Sequence, residues 1–204
     1  MPLNPPLMFA LFALLIGMAA APVPSPGWEQ VRQDMAESRQ IHDFYEAFAR
    51  HDADAMLASY HPEVEFADPV FGTLNAAQAR AMWRMLLERS QGRLKIRHAN
   101  VLVQADQGQA DWDAWYPFSA TGNFVHNRVH ARFKFKGGKI WRHTDSFDLA
   151  QWNCMALAPA GCWFGSSPEL QARIHASAKE SLEAWMKAHP EAESGPPASE
   201  PLVE

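Results

Sequence analysis

The sequence predicts an α+β domain. Helix-period segments come first, strand-period segments follow in one block, and a further helix-period segment begins at Ser167-Pro168-Glu169. With 48% hydrophobic residues, twelve Phe and eight Trp in 204 positions, the chain has ample material for a core, and wholesale disorder is excluded. Eighteen basic residues against 23 acidic ones give a net charge of −5. The basic residues of the strand region sit on one strand face rather than in a run, so nucleic acid is excluded as a partner class.

From Val31 to Ala49, Met35, Ile41, Phe44, Tyr45 and Phe48 recur on one helical face, and Asp52 is placed to cap a short second helix carrying Met56, Leu57 and Tyr60. Val64 and Phe66 make a short extended piece, and Asp68-Pro69-Val70-Phe71-Gly72 is a turn. Asn75 caps a third helix through Ala79, Met82, Trp83, Leu86 and Leu87, which Gly92 ends. Residues 94–103, 110–118, 125–135 and 140–149 have strand character and are separated by Asp106-Gln107-Gly108, Thr121-Gly122 and Gly137-Gly138, an antiparallel meander forming a curved sheet. Leu170, Ile174, Ala178, Leu182 and Trp185 form the buried stripe of the last helix.

Alternation assigns the faces. Ala110, Trp112, Ala114, Tyr116 and Phe118 point inward, as do Val125, Asn127, Val129, Ala131, Phe133 and Phe135. A turn centred on Thr121-Gly122 sets Asp113 opposite His130 and Asp111 opposite Arg132, so opposite charges meet on the outer face. His126 and His130 share that face at a spacing that could hold a metal, but the intervening Arg128 and the nearby acids favour a charge row, and neither a metal nor any other cofactor is expected. For the last strand, a three-residue loop beginning at Lys136 turns Trp141, His143, Asp145 and Phe147 inward, whereas a two-residue Gly137-Gly138 loop turns the opposite set inward; the longer loop is preferred because it brings Trp141 and Phe147 into the core. Polar groups converging in an apolar concavity then describe a small-molecule site.

The ends of the chain read differently. Leu7 to Ala21 is uncharged, ends in small residues and precedes Pro22, Pro24 and Pro26, so residues 1–21 are expected to be an export signal for a periplasmic or secreted protein. The alternative is an uncleaved membrane anchor, against which the run falls short of the roughly 20 residues that span a bilayer. Residues 22–35 are linker and helix start, 151–189 a C-terminal extension with its helix, and 190–204, rich in Pro, Glu and Ser, a disordered tail. Cys154 and Cys162 can pair in an oxidising compartment, or stand as two buried thiols.

Phe44-Tyr45-Glu46-Ala47-Phe48 with Asp52, Tyr60, Phe66-Ala67-Asp68-Pro69-Val70-Phe71-Gly72, and Gly138-Lys139-Ile140 leading to His143-Thr144-Asp145-Ser146-Phe147-Asp148 follow an order that resembles SnoaL-like proteins of the nuclear transport factor 2-like superfamily, over about residues 36–150. That superfamily includes ketosteroid isomerases, limonene epoxide hydrolases and polyketide cyclases. The resemblance implies a cone-shaped sheet packed on N-terminal helices. It implies that Asp68 falls at the isomerase general base, while Phe44 and Ala131 replace the isomerase oxyanion donors. It places Asp145 at an acid/base position of the cyclases and at one Asp of the epoxide hydrolases, whose Arg and second Asp are missing from the strand holding Trp112 and Ala114. The inward His of the cyclases corresponds to Ala131, with His143 as a substitute on the same face.

The expected site has Asp145, His143 and Asp68 as catalytic groups and Asn127, Tyr116, Trp112, Phe66 and Val129 binding a small hydrophobic molecule. One reading is acid/base catalysis of an isomerase, cyclase or hydratase kind. The other is a non-catalytic ligand-binding or accessory protein, in which Asp145 and His143 only stiffen the sheet. The outer sheet face, with Trp115, Arg128 and His130, is a candidate homodimer contact compatible with either.

Overall fold

A computed structural model describes residues 27–190, so the export signal and all but the first residue of the tail lie outside the described residues. Helix α1 (Trp28–Ala49) contains no Gly or Pro and buries Ile41, Phe44, Tyr45 and Phe48; Met35, expected on that face, is 63% exposed because Asp34, which bonds the Ala105 amide, and buried Glu37 hold the inward face at that turn. Asp52 caps α2 (Ala53–Ala58) by accepting from the Ala55 amide at 3.0 Å. Strands β1 (Tyr60–Asp68) and β2 (Gly72–Leu74) form a hairpin, and Asn75 and Gln78 close a reciprocal cap on α3 (Ala76–Ser90). Strands β3 (Lys95–Gln104), β4 (Gln107–Pro117), β5 (Phe124–Lys136) and β6 (Lys139–Ser146) make the meander, and the six strands lie in the order β2-β1-β6-β5-β4-β3. β1 joins β6 in parallel, so the curved, open sheet is mixed. The core lies between its concave face and helices α1 and α3, and the inward faces of β4 and β5 are those expected.

Three local expectations are corrected. First, Asp111 pairs with His130 and Asp113 with Arg128, each two residues along β5 from the expected partner, because Phe118 and Asn123 close the loop with a 2.7 Å bond and shift its centre. The charges still meet: Asp113 bonds His126 at 2.7 Å and Asp111 bonds His130 at 2.8 Å.

Second, the β5–β6 loop is the two-residue kind. Gly137 and Gly138 adopt φ of +57° and +71°, and Lys136 pairs with Lys139. Ile140 is therefore the first buried residue of β6. The register then shifts by one at Trp141, a bulge, after which His143 and Asp145 face inward as expected. Trp141 does not join the core; Arg142 and Lys136 lie over its ring at 4.8 and 5.9 Å.

Third, the last strand stops at Ser146 rather than Leu149, because Asp148 accepts from the Gln151 amide and starts a helix, α4 (Leu149–Ala156). A disulfide between Cys154 and Cys162 ties α4 to α5 (Ala160–Phe164). Ser167 caps α6 (Pro168–Ala188), which packs on α3 through buried Leu182 and Trp185, while Leu170, Ile174 and Ala178 are only partly covered.

Candidate functional site

Beyond the bulge, β6 carries His143 to the floor of the cone. Its ring is fully buried, edge-on to Phe44 and Phe66 at 5.3 and 5.2 Å and nearly parallel to Trp83 at 6.1 Å. Four hydrogen bonds run through it. Trp83 Nε1 donates to Tyr60 Oη at 2.8 Å, Tyr60 Oη lies 2.7 Å from His143 Nδ1, His143 Nε2 lies 3.0 Å from Asp145 Oδ1, and Trp112 Nε1 donates to the same oxygen at 3.2 Å. The direction of the chain follows from its ends. An indole N–H only donates, so the Tyr60 oxygen accepts there and its own proton goes to His143 Nδ1. That leaves the imidazole neutral with its proton on Nε2, donating to the carboxylate. Both bonds to Asp145 end on Oδ1, so Oδ2 is the oxygen left to meet a ligand.

Asp68 reaches the same region from the end of β1. Its Oδ1 accepts from the Val70 and Phe71 amides, which fixes the turn before Gly72. Loss of water pushes its carboxyl up to about 7, opposed by the Phe71 amide and reinforced by the charge of Asp145. Tyr116 accepts from Trp152 Nε1 at 2.8 Å and keeps its own proton to donate; burial pushes its phenol up to about 12. Asn127, paired across the strands with Ala114, completes the polar set.

These groups open on a cavity of about 410 Å³ whose remaining wall is mainly apolar: Met82, Met85 and Leu86 of α3 on one side, Trp152 of α4 with Ile174 and Ala178 of α6 on another. The volume fits a small organic molecule, and two carboxylates with two hydrogen-bond donors on an apolar wall can move a proton on it.

The family model for the SnoaL-like domain matches residues 41–143, half of the chain. The chain belongs to this family. Solved structures agree on the fold. A protein assigned as a SnoaL-like polyketide cyclase from a Jannaschia species is 17% identical, with 62% of this chain and 94% of that one covered and a TM-score of 0.54. Another, assigned as a polyketide cyclase from Xanthomonas campestris, is 21% identical over 61% and 98% of the two chains, TM-score 0.50. TerC, co-crystallised with polyporic acid, is 18% identical over 60% and 99%, TM-score 0.52. No functionally curated protein matches the chain in sequence.

In this SnoaL-like domain Asp145, Asp68, Asn127, Tyr116 and Trp112 line the cavity together. His143 does not: it lies behind Asp145, because the aromatic cluster closes over it. Phe66 lies beneath with it, against Trp83, and Val129 is covered by its cross-strand partner Trp112, so neither is a wall residue. The sequence assigns no site role to Tyr60 or Trp83, which fix the histidine, nor to Trp152, which falls in the C-terminal extension. Asp148, with Leu149 and Trp152 in helical spacing after it, is the signal that finds α4. Residues 144–188, which supply α4–α6, lie past the end of the family match.

Proposed function

We propose that this SnoaL-like protein binds a small, largely apolar molecule and moves a proton on it. The observation that carries the reading is the pair of unlike carboxylates on one apolar wall: Asp145, with one oxygen held by His143 and Trp112, and Asp68, whose carboxyl titrates near neutrality. In this reading Asp145 Oδ2 takes the proton from substrate carbon or from water. Asp68, protonated below pH about 7, returns a proton, and Tyr116 and Asn127 donate to the oxygen on which charge develops. Isomerase, cyclase and hydratase reactions share this need. Export belongs to the same proposal, supported by the Cys154–Cys162 disulfide; mass spectrometry of protein from the producing cell that finds Met1 intact would overturn that part.

Asp145→Asn tests the chemistry. It preserves the shape and removes the base, so turnover against a panel of small enones, epoxides and aromatic polyketides should fall by ~10²-fold or more with binding nearly unchanged. A specific observation supports the alternative of a binder without chemistry: the positions of the missing isomerase donors hold Phe44 and Ala131, both fully buried. A wild-type protein that binds members of the panel and turns none over would establish that alternative.

A further inference from the structure

We infer that the ligand carries an anionic group, which Arg89 receives at the end of the cavity away from the two aspartates. The inference rests on the proposed ligand-binding role of the cavity and adds the chemical class of what fills it.

Among the described residues lining the cavity there are three charged side chains: Asp68, Asp145 and Arg89. They are not mixed. Trp83 of α3 faces His143, the residue bonded to Asp145, and Arg89 follows six positions later on the same helix, a rise of ~9 Å. Helix α6 supplies a second ruler. His175 bonds the Val70 carbonyl in the turn that Asp68 caps, and Ser181, also six residues on, bonds Arg89, again ~9 Å of helix. Two helices thus measure the same separation between an acidic end and a basic end, and the span between them is walled by Met82, Met85, Ile174 and Ala178.

Arg89 is held for such a role. Its Nη1 donates to Ser181 Oγ at 2.7 Å, and among the described residues no carboxylate pairs with it; the neighbouring Glu88 is engaged by Trp185 Nε1 at 2.8 Å. Ser181 accepts that bond, which leaves its own hydroxyl proton to donate to the same anion. At the other end an anionic group would meet Asp68 and Asp145, where like charge repels it, so the field along the cavity fixes one orientation. A carboxylic acid whose apolar body spans ~9 Å matches this pattern, with the carboxylate on Arg89 and the neutral end against Asp145.

The test uses the full chain and a matched pair of ligands, biphenyl-4-carboxylate and its neutral carboxamide, titrated at pH 8 by tryptophan fluorescence and by calorimetry. Wild type should bind the acid ~3- to 10-fold more tightly than the amide. Arg89→Gln should erase that preference while leaving the affinity for the amide unchanged, which shows the cavity intact, and Arg89→Lys should restore part of it. Equal binding of acid and amide by wild type, or a preference that survives Arg89→Gln, would overturn the inference while the ligand-binding reading stands. Failure of wild type to bind either member of the pair, or any member of the enone and aromatic panel, would overturn both.

Discussion

Replacing Asp68 by Asn should stabilise the protein at pH 8 and leave it nearly unchanged at pH 4. Asn keeps an oxygen for the Val70 and Phe71 amides, so the turn survives and the titrating proton is what is lost. The carboxyl is pushed from 3.8 to about 7 on folding. Between those two pH values the native state therefore holds a proton that the unfolded chain has released. Stability from this group is full below pH 4, falls as pH rises through the window, and is lost above about 7. At 1.36 kcal/mol per unit the shift sets a ceiling of ~4 kcal/mol, and the side chain is only half-buried beside an open cavity, so screening reduces the expected effect to ~1–2 kcal/mol. Urea unfolding followed by tryptophan fluorescence at pH 4, 6 and 8 measures it. The variant's stability relative to wild type should rise by that amount from pH 4 to 8. A difference that stays constant with pH, or one of opposite sign, would refute the account of Asp68 as a desolvated, proton-holding acid.

Tyr60→Phe removes the hydroxyl that fills His143 Nδ1 and accepts from Trp83, so nitrogen chemical shifts of the imidazole should report loss of the pure Nε2–H tautomer, with ~1–3 kcal/mol of destabilisation; unchanged shifts would show that the tautomer is set elsewhere. Gly161→Ala drives a methyl group into the backbone oxygen of Asn153, so the α4–α5 junction must open. Hydrogen exchange across residues 149–165 should accelerate and ligand affinity fall, while exchange in β4 and β5 stays as it was.

The elements legible in the sequence were those whose signal is local. Asp52, Asn75 and Ser167 each cap the helix they announce, and the alternation of β4 and β5 gives the faces the structure shows. Asp68, Asn127, Tyr116 and Trp112 meet at one cavity for the same reason, since alternation or a turn fixes where each points, whereas Asp145 joins them through a bulge that alternation does not foretell. What stayed hidden depends on contacts between distant segments. The parallel pairing of β1 with β6 joins strands that are eighty residues apart. The burial of His143 is decided by Phe44, Trp83 and Phe66 arriving from three other elements. The Asp111–His130 register rests on a backbone bond between Phe118 and Asn123 rather than on their side chains.

The extra residue at Trp141 makes the orientation of the site a matter of counting. Side chains on a regularly paired strand alternate, so with the two-residue loop in place Asp145 faces the cavity only because Trp141 is left out of the count. A two-residue loop plus a one-residue bulge gives the same answer as a three-residue loop with none. Deleting Trp141 would remove the bulge along with the residue, so Arg142 still meets Lys134 and His143 and Asp145 still face the core; drawing Trp141 into regular pairing would instead turn them to solvent and bring Arg142 and Thr144 inward. A single residue can therefore be lost at Trp141 or gained within the Gly137-Gly138 loop without disturbing the pairs on either side, whereas one lost between Arg142 and Asp145 turns Asp145 out of the cavity. An alignment of this chain with a relative that lacks the bulge needs a single gap at Trp141; without it the residues beyond are compared face against opposite face.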